Sequence, residues 1–291
     1  MKEQKRKSWV LLFAMLFMCV NFVGCENNFD PSVSSSRTQV KINAFPLVQR
    51  QKDFEGNQLF YEGEIDHPDV RLRLQALFYD SNGTLVKTAT VQEGNVKKEV
   101  SLTVADLSQD QLYKVLVVAD FVMVEGNKIE LEFWGLRDEY NYSTAKLVDQ
   151  GYVGNRYRSV GVGYATVYGG EQAHINIEGL GCFVYMYFYN VGSYVDNIEY
   201  NWSDVKEYLL ATKTPTSTTV YYDDYEVDHN YTGFYDARYI IPVNRKCVFG
   251  WAIDGYSVTR GEKSVEITPA SNYRWSVNSS NNLFENVYFN Y

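Results

Sequence analysis

The sequence predicts an all-β protein built from two tandem antiparallel sandwiches behind an export leader. Three observations carry this. Apolar and polar residues alternate with a period of two in one segment after another. Turn residues separate those segments at short intervals. The 25 Tyr and 16 Phe among 291 residues suit pleated, half-buried surfaces better than helices, and 45% hydrophobic residues is far from a disordered profile.

Taken in chain order, Lys2, Lys5, Arg6 and Lys7 form a basic start, and the apolar run Trp9 to Val23 is short for a membrane span. This reads as a secretory signal over residues 1–24. It closes on Phe22-Val23-Gly24-Cys25, a small residue before a cysteine, which resembles the lipobox of bacterial lipoproteins although Phe22 stands where Leu is usual. The resemblance implies that Cys25 is diacylated and becomes the new amino terminus. Residues 25–39 are polar and Ser-rich and read as a flexible tether.

The whole chain carries 27 Lys+Arg against 36 Asp+Glu, a net charge of −9; losing four bases and Glu3 with residues 1–24 takes it to −12. Nucleic acid is thereby excluded as an expected partner, because backbone binding needs a cationic face. An acidic body is also repelled by anionic lipid, so the acyl chains are the expected membrane anchor.

The first sandwich is expected over residues 40–150. Val70 to Phe78 places Val70, Leu72, Leu74, Ala76 and Phe78 on one face, with Arg71, Arg73 and Gln75 opposite. Asp80-Ser81-Asn82-Gly83 turns the chain, and Thr84 to Val91 returns as a hairpin. Glu99 to Val104 alternates again, and Tyr113 to Asp120, apolar on both sides, reads as a central strand. The polar, Gly-containing stretch Asp149 to Arg158 reads as the domain boundary.

The second sandwich is expected over residues 151–291. Strands are predicted at Ala173 to Ile177, Cys182 to Tyr189, Tyr239 to Val243, Cys247 to Ile253, Ser264 to Thr268, Tyr273 to Val277 and Asn286 to Asn290. Asp204 and Glu207 stand in capping-box relation ahead of Tyr208 and Leu209, which predicts a short helix over 204–210. Of the cysteines left after processing, Cys182 and Cys247 either form a disulfide, worth on the order of 4 kcal/mol for a loop of about 64 residues, or are two small buried thiols.

The order of lipobox, tether, Phe78-Tyr79-Asp80-Ser81-Asn82-Gly83, Leu107 and Tyr113-Lys114-Val115-Leu116-Val117-Val118-Ala119-Asp120 resembles the first domain of fimbrillin-type and fimbrial-anchor lipoproteins of Bacteroides-type bacteria. The resemblance implies transthyretin/Ig-like sandwiches, an outer-membrane, surface-exposed location, and a structural or adhesive role as anchor or accessory subunit with fimbrial subunits as partners. In the major subunits of that family a protease removes a leading segment, and Arg50 and Lys52 are the candidate trypsin-like sites for such a cut here.

The sequence offers residues for two further chemistries. Tyr221 to Tyr231 interleaves acids with tyrosines, but its spacing is not that of a calcium loop, and an exposed acidic hairpin fits better. Sugar rings need flat aromatic faces beside hydrogen-bonding groups; Trp202, Tyr221, Tyr222, Tyr225 and Tyr235, with Trp134, Tyr140, Tyr142 and Tyr200, supply that chemistry. The alternative function is therefore a glycan-binding surface lipoprotein of a polysaccharide-uptake system. His67, His174 and His229 lie in no metal-ligand spacing, and no nucleotide-binding or nucleophile-elbow motif occurs, so neither enzyme, metal nor cofactor is expected.

Overall fold

A computed structural model of the chain describes residues 37–44, 65, 67–95, 97, 99–152, 156–189, 195–226, 233–255, 258–268, 272–278 and 284–290. The leader, Cys25, the tether up to residue 36, and Arg50 and Lys52 lie outside them. The described strands are β1 (Thr38–Asn43), β2 (Val70–Tyr79), β3 (Leu85–Glu93), β4 (Val100–Val104), β5 (Leu112–Glu125), β6 (Lys128–Glu132), β7 (Trp134–Arg137), β8 (Lys146–Asp149), β9 (Val160–Tyr168) and β10 (Gln172–Asn176). They continue with β11 (Glu178–Gly179), β12 (Cys182–Tyr189), β13 (Val195–Leu209), β14 (Thr214–Glu226), β15 (Gly233–Ile240), β16 (Lys246–Gly255), β17 (Thr259–Glu266), β18 (Asn272–Asn278) and β19 (Phe284–Asn290). One 3-10 turn spans Arg156–Arg158.

Four sheets result. Two of them, β10-β1-β4 and β11-β9-β5-β2-β3 with β6 on β5, enclose an aliphatic core that includes Val40, Ile42, Leu74, Phe78, Leu102, Val117 and Ile175. The other two, β15-β12-β19-β18 and β17-β16-β13-β8-β7 with β14 on β13, enclose a smaller core containing Met186, Phe188, Tyr200, Trp202 and Phe249. The all-β expectation holds.

The predicted hairpin is β2–β3. Asp80 Oδ1 accepts the amides of Asn82 at 2.9 Å and Thr84 at 2.8 Å, and Gly83 takes φ 80°, so each turn residue has the job its chemistry suits. Arg73 departs from the expected solvent face. Cross-strand register sets it opposite Asp120, which accepts its guanidinium in a two-pronged pair at 2.9 and 2.6 Å; Glu132 takes a third contact. The buried charge is thus neutralised inside the sheet.

The division at 150/151 does not follow the sheets. Strands β9, β10 and β11, all beyond it, pair with β5, β1 and β9 in the first sandwich, whereas β7 and β8, before it, extend the sheet of β13. The two ends of the stretch read as a linker, Asp149 and Arg158, are both buried. The guanidinium of fully buried Arg158 pairs with Asp149 at 3.2 Å and Asp204 at 2.5 Å, donates to the Tyr239 carbonyl at 2.9 Å, and lies 4.8 Å from the Trp134 ring centre.

The helix expected over 204–210 is also corrected, since residues 204–209 belong to β13 and Leu210 opens the following turn. Asp204 is not a cap: it is buried, and its Oδ1 accepts the amides of Val205 at 2.8 Å and Ile241 at 2.6 Å. Register shifts around Glu207 break the alternation there, which is why the stretch mimics a helical pattern. Cys182 and Cys247 are buried free thiols in β12 and β16, strands of the two facing sheets, and burial pushes both thiols well up.

Candidate ligand-binding face

The longest ladder among the described strands joins β13 to β14, and its alternation sorts the tyrosines onto two faces. On the inner face Trp202 stacks on Tyr221 with ring centres 5.7 Å apart, Tyr200 stacks on Trp202 at 5.6 Å and on Tyr225 at 5.8 Å, and Phe249 follows at 6.1 Å from Tyr200. These rings form a wall of the second core. Trp202 and Tyr200 are 3% and 2% exposed, so Trp202 is core rather than a ligand contact. Tyr221 and Tyr225 are partly buried in the same stack and pack against the second core.

The polar tips of this stack are satisfied by a compact charge network. Tyr200 Oη donates to Asp236, and Arg238 pairs with Asp223 at 2.7 Å and Asp236 at 2.9 Å while donating to Tyr225 Oη at 2.8 Å. Burial, and then the Asp236 carboxylate, push the Tyr200 hydroxyl far above its usual range and keep it a donor. Tyr221 Oη reaches Asp149 at 3.1 Å, tying the stack to the Arg158 cluster.

Tyr222 points the other way and is 77% exposed. Beside it β13, β16 and β17 form the floor of an open depression of about 490 Å³. Gly250 and Ala252 are the floor, and Glu199, Asn201, Asp224, Arg260 and Glu262 rise around it. Gly250 keeps the floor low, and a Cβ there would lie 2.7 Å from the Asn201 side-chain oxygen and displace that side chain. On the opposite face Gly261 serves the same end for Trp251, whose ring passes 2.2 Å from where a Cβ would stand.

Among the described residues, Glu199, Asp224, Arg260 and Glu262 make no ion pair with one another or elsewhere, in contrast to the buried charges Arg73, Asp120, Asp149, Arg158 and Asp204, all of which are paired. The depression therefore offers one aromatic face, a cation, an amide and several carboxylates without internal partners. No group of three or more metal-ligating side chains occurs among the described residues.

Of the residues proposed from sequence, the structure leaves Tyr222 in the site and moves Trp202, Tyr221 and Tyr225 behind it. Tyr235 lies in β15 opposite Tyr187. Trp134 is fully buried, its ring nitrogen donating to the Arg158 carbonyl at 2.6 Å, and Tyr142 packs edge-on against Tyr79 at 5.3 Å; Tyr140 is exposed but lies apart from the depression. The acidic segment up to residue 226 lies in the second arm of the antiparallel β13–β14 pair, its acids interleaved with the tyrosines. Glu199, Arg260 and Glu262 escaped sequence reasoning because only cross-strand register brings them to Tyr222.

No family model matches the chain, and no curated protein does. Solved structures do. Its neighbours in fold are fimbrial and adhesin proteins of Bacteroides-type bacteria. They include the fimbrial anchor protein Mfa2 from Porphyromonas gingivalis, 12% identical over 77% of this chain and 82% of that one, with a TM-score of 0.45. A fimbrial assembly protein from Parabacteroides distasonis is 10% identical over 85% of this chain and 92% of that one, at 0.43. A Bacteroides thetaiotaomicron protein assigned to polysaccharide binding is 10% identical over 75% and 76%, at 0.48.

Proposed function

We infer that this chain is a surface lipoprotein with a structural or adhesive role, held to the outer membrane through Cys25 and working as a fimbrial anchor or accessory subunit. One observation carries the reading. The first described strand after the tether, β1, is clamped on both edges, parallel to β10 from Gln39↔Gln172 to Asn43↔Asn176 and antiparallel to β4 from Thr38↔Val104 to Ile42↔Val100.

Val40 and Ile42 are fully buried under it. A pull from the tether thus meets two hydrogen-bonded ladders and a packed core before any strand leaves the fold. That is the mechanical requirement of an anchor. The role needs no reacting group, and the buried charges all serve as internal ion pairs.

The test is a strain carrying Cys25→Ala. The account expects the protein in the medium instead of the membrane, with fimbriae shed alongside it. Fimbriae that stay attached to cells would contradict the anchoring role.

The depression beside Tyr222 favours a second reading, glycan binding, because an aromatic face flanked by unpaired carboxylates, an amide and a guanidinium suits the C–H patches and hydroxyls of a sugar ring. Retention on polysaccharide affinity gels, lost in Tyr222→Ala and Arg260→Ala, is its expected signature; passage of the parent protein without delay would remove it.

A further inference from the structure

We propose that β14 is a self-association edge, and that its occupant is the β14 strand of a second copy, paired antiparallel about Val220. Among the described strands β14 pairs with β13 alone, so one side of a 13-residue strand has no described partner. Exposed edges of this length normally carry devices that block pairing, such as lysine, proline or a bulge. Two other edges have them: β3 carries Lys87, and β17 carries Arg260 and Lys263. From Ser217 to Asp224, β14 contains no lysine, arginine or proline, and its ladder to β13 is regular from Thr218 to Glu226.

Charge selects the partner and the register. The carboxyl-terminal half of the strand holds Asp223, Asp224 and Glu226, while the other half is Thr214, Pro215, Thr216, Ser217, Thr218 and Thr219, with the proline confined to the strand's first turn-adjacent residues. A parallel, in-register copy would stack acid on acid, which is destabilising for residues directly opposite. An antiparallel copy centred on Val220 sets Ser217 against Asp223, Thr218 against Tyr222 and Thr219 against Tyr221, so hydroxyl donors face carboxylates. The two Asp223 side chains then stand about 20 Å apart along the strands, at roughly 3.4 Å per residue, beyond the Debye length of about 8 Å at physiological salt.

The register is bounded on one side by the irregularity near Ser217 and on the other by the acids. It also pairs the 47%-exposed Val220 with its own copy and covers the adjoining Tyr222. The outer faces of both protomers would become one continuous sheet carrying two depressions related by a two-fold axis. Confinement of the lipidated chain to a membrane raises its effective concentration for such a contact.

This proposal stands apart from the anchoring role, and its test reads association alone. The exported chain carrying Cys25→Ala is purified and its mass followed by sedimentation as concentration rises. The expected result is a shift from monomer toward dimer, abolished by Val220→Lys, which sets two ammonium groups face to face at an exposed position. Register is read by cysteine cross-linking: Val220→Cys links to itself under mild oxidant, Thr218→Cys links to Tyr222→Cys in a mixture, and Thr218→Cys alone does not. A parent protein that stays monomeric, together with Val220→Cys linking no faster than a control at exposed Val86, would overturn the proposal. Linking of Thr218→Cys to itself would overturn the register.

Discussion

The two cores solve the same problem with different materials. In the first, β2 and β5 lie side by side at the middle of the sheet, and their Val, Leu, Ala and Phe side chains close over both faces, sealing Arg73 and Asp120 together with exposures of 3% and 0%. In the second, a row of stacked rings runs from Tyr221 to Phe249, and its polar tips end on Asp223, Asp236 and Arg238 near the surface. The first core thus seals its charges away from water, while the second ends its ring stack on charged groups near the surface and leaves the exposed Tyr222 on the other face of the ladder.

Arg73→Met is the variant that should break this contrast most sharply. It leaves the Asp120 carboxylate sealed and unpaired, and is expected to cost about 3–5 kcal/mol, read as a fall in the denaturant midpoint. Adding Asp120→Leu should restore most of the loss. A single variant of parent stability would mean that water reaches Asp120 and the first core is not dry.

Trp202→Ala removes the centre of the ring stack and is expected to cost about 3–5 kcal/mol as well, with sugar retention falling only in proportion to unfolded protein. A loss of retention in a fully folded variant would return Trp202 to the site. Tyr200→Phe should cost less, about 1.5–3 kcal/mol, the range for a hydrogen bond to a charged group, and pairing it with Asp236→Asn in a double-mutant cycle should show strong coupling. Additive effects would mean that the ring tip and the carboxylate do not work as a unit. Tyr222→Ala should change stability by less than about 0.5 kcal/mol while altering binding; a large stability loss would place Tyr222 in the core.

How legible these features were depends on the distance over which each is determined. The turn at Asp80 to Gly83 and the strands β2, β3, β4, β5, β10 and β12 are local patterns and could be read directly. Strand β9 was missed because Gly161 and Gly163 interrupt its alternation, yet both are demanded by close packing: a Cβ on Gly163 would lie 2.3 Å from Ile175. β13 was hidden by Asp204, whose partners Arg158 and Ile241 are far away in sequence.

The same holds for the site. The period of two already separates Tyr222 from Tyr221 and Tyr225, so that division was available in the sequence. The gathering of Glu199, Asp224 and Arg260 around Gly250 was not, because it depends on three cross-strand registers. The stretch around 150/151 is a related case: its polar residues look like a linker until Arg158 and Asp149 are seen to neutralise each other in the interior.

The most direct test of the central claim is cross-linking on intact cells followed by isolation of an epitope-tagged full-length chain from the outer-membrane fraction. The account predicts that the chain is recovered covalently joined to fimbrial subunits, and that Cys25→Ala removes it from that fraction. Recovery from the surface as free chain alone, with no fimbrial subunit attached, would contradict it.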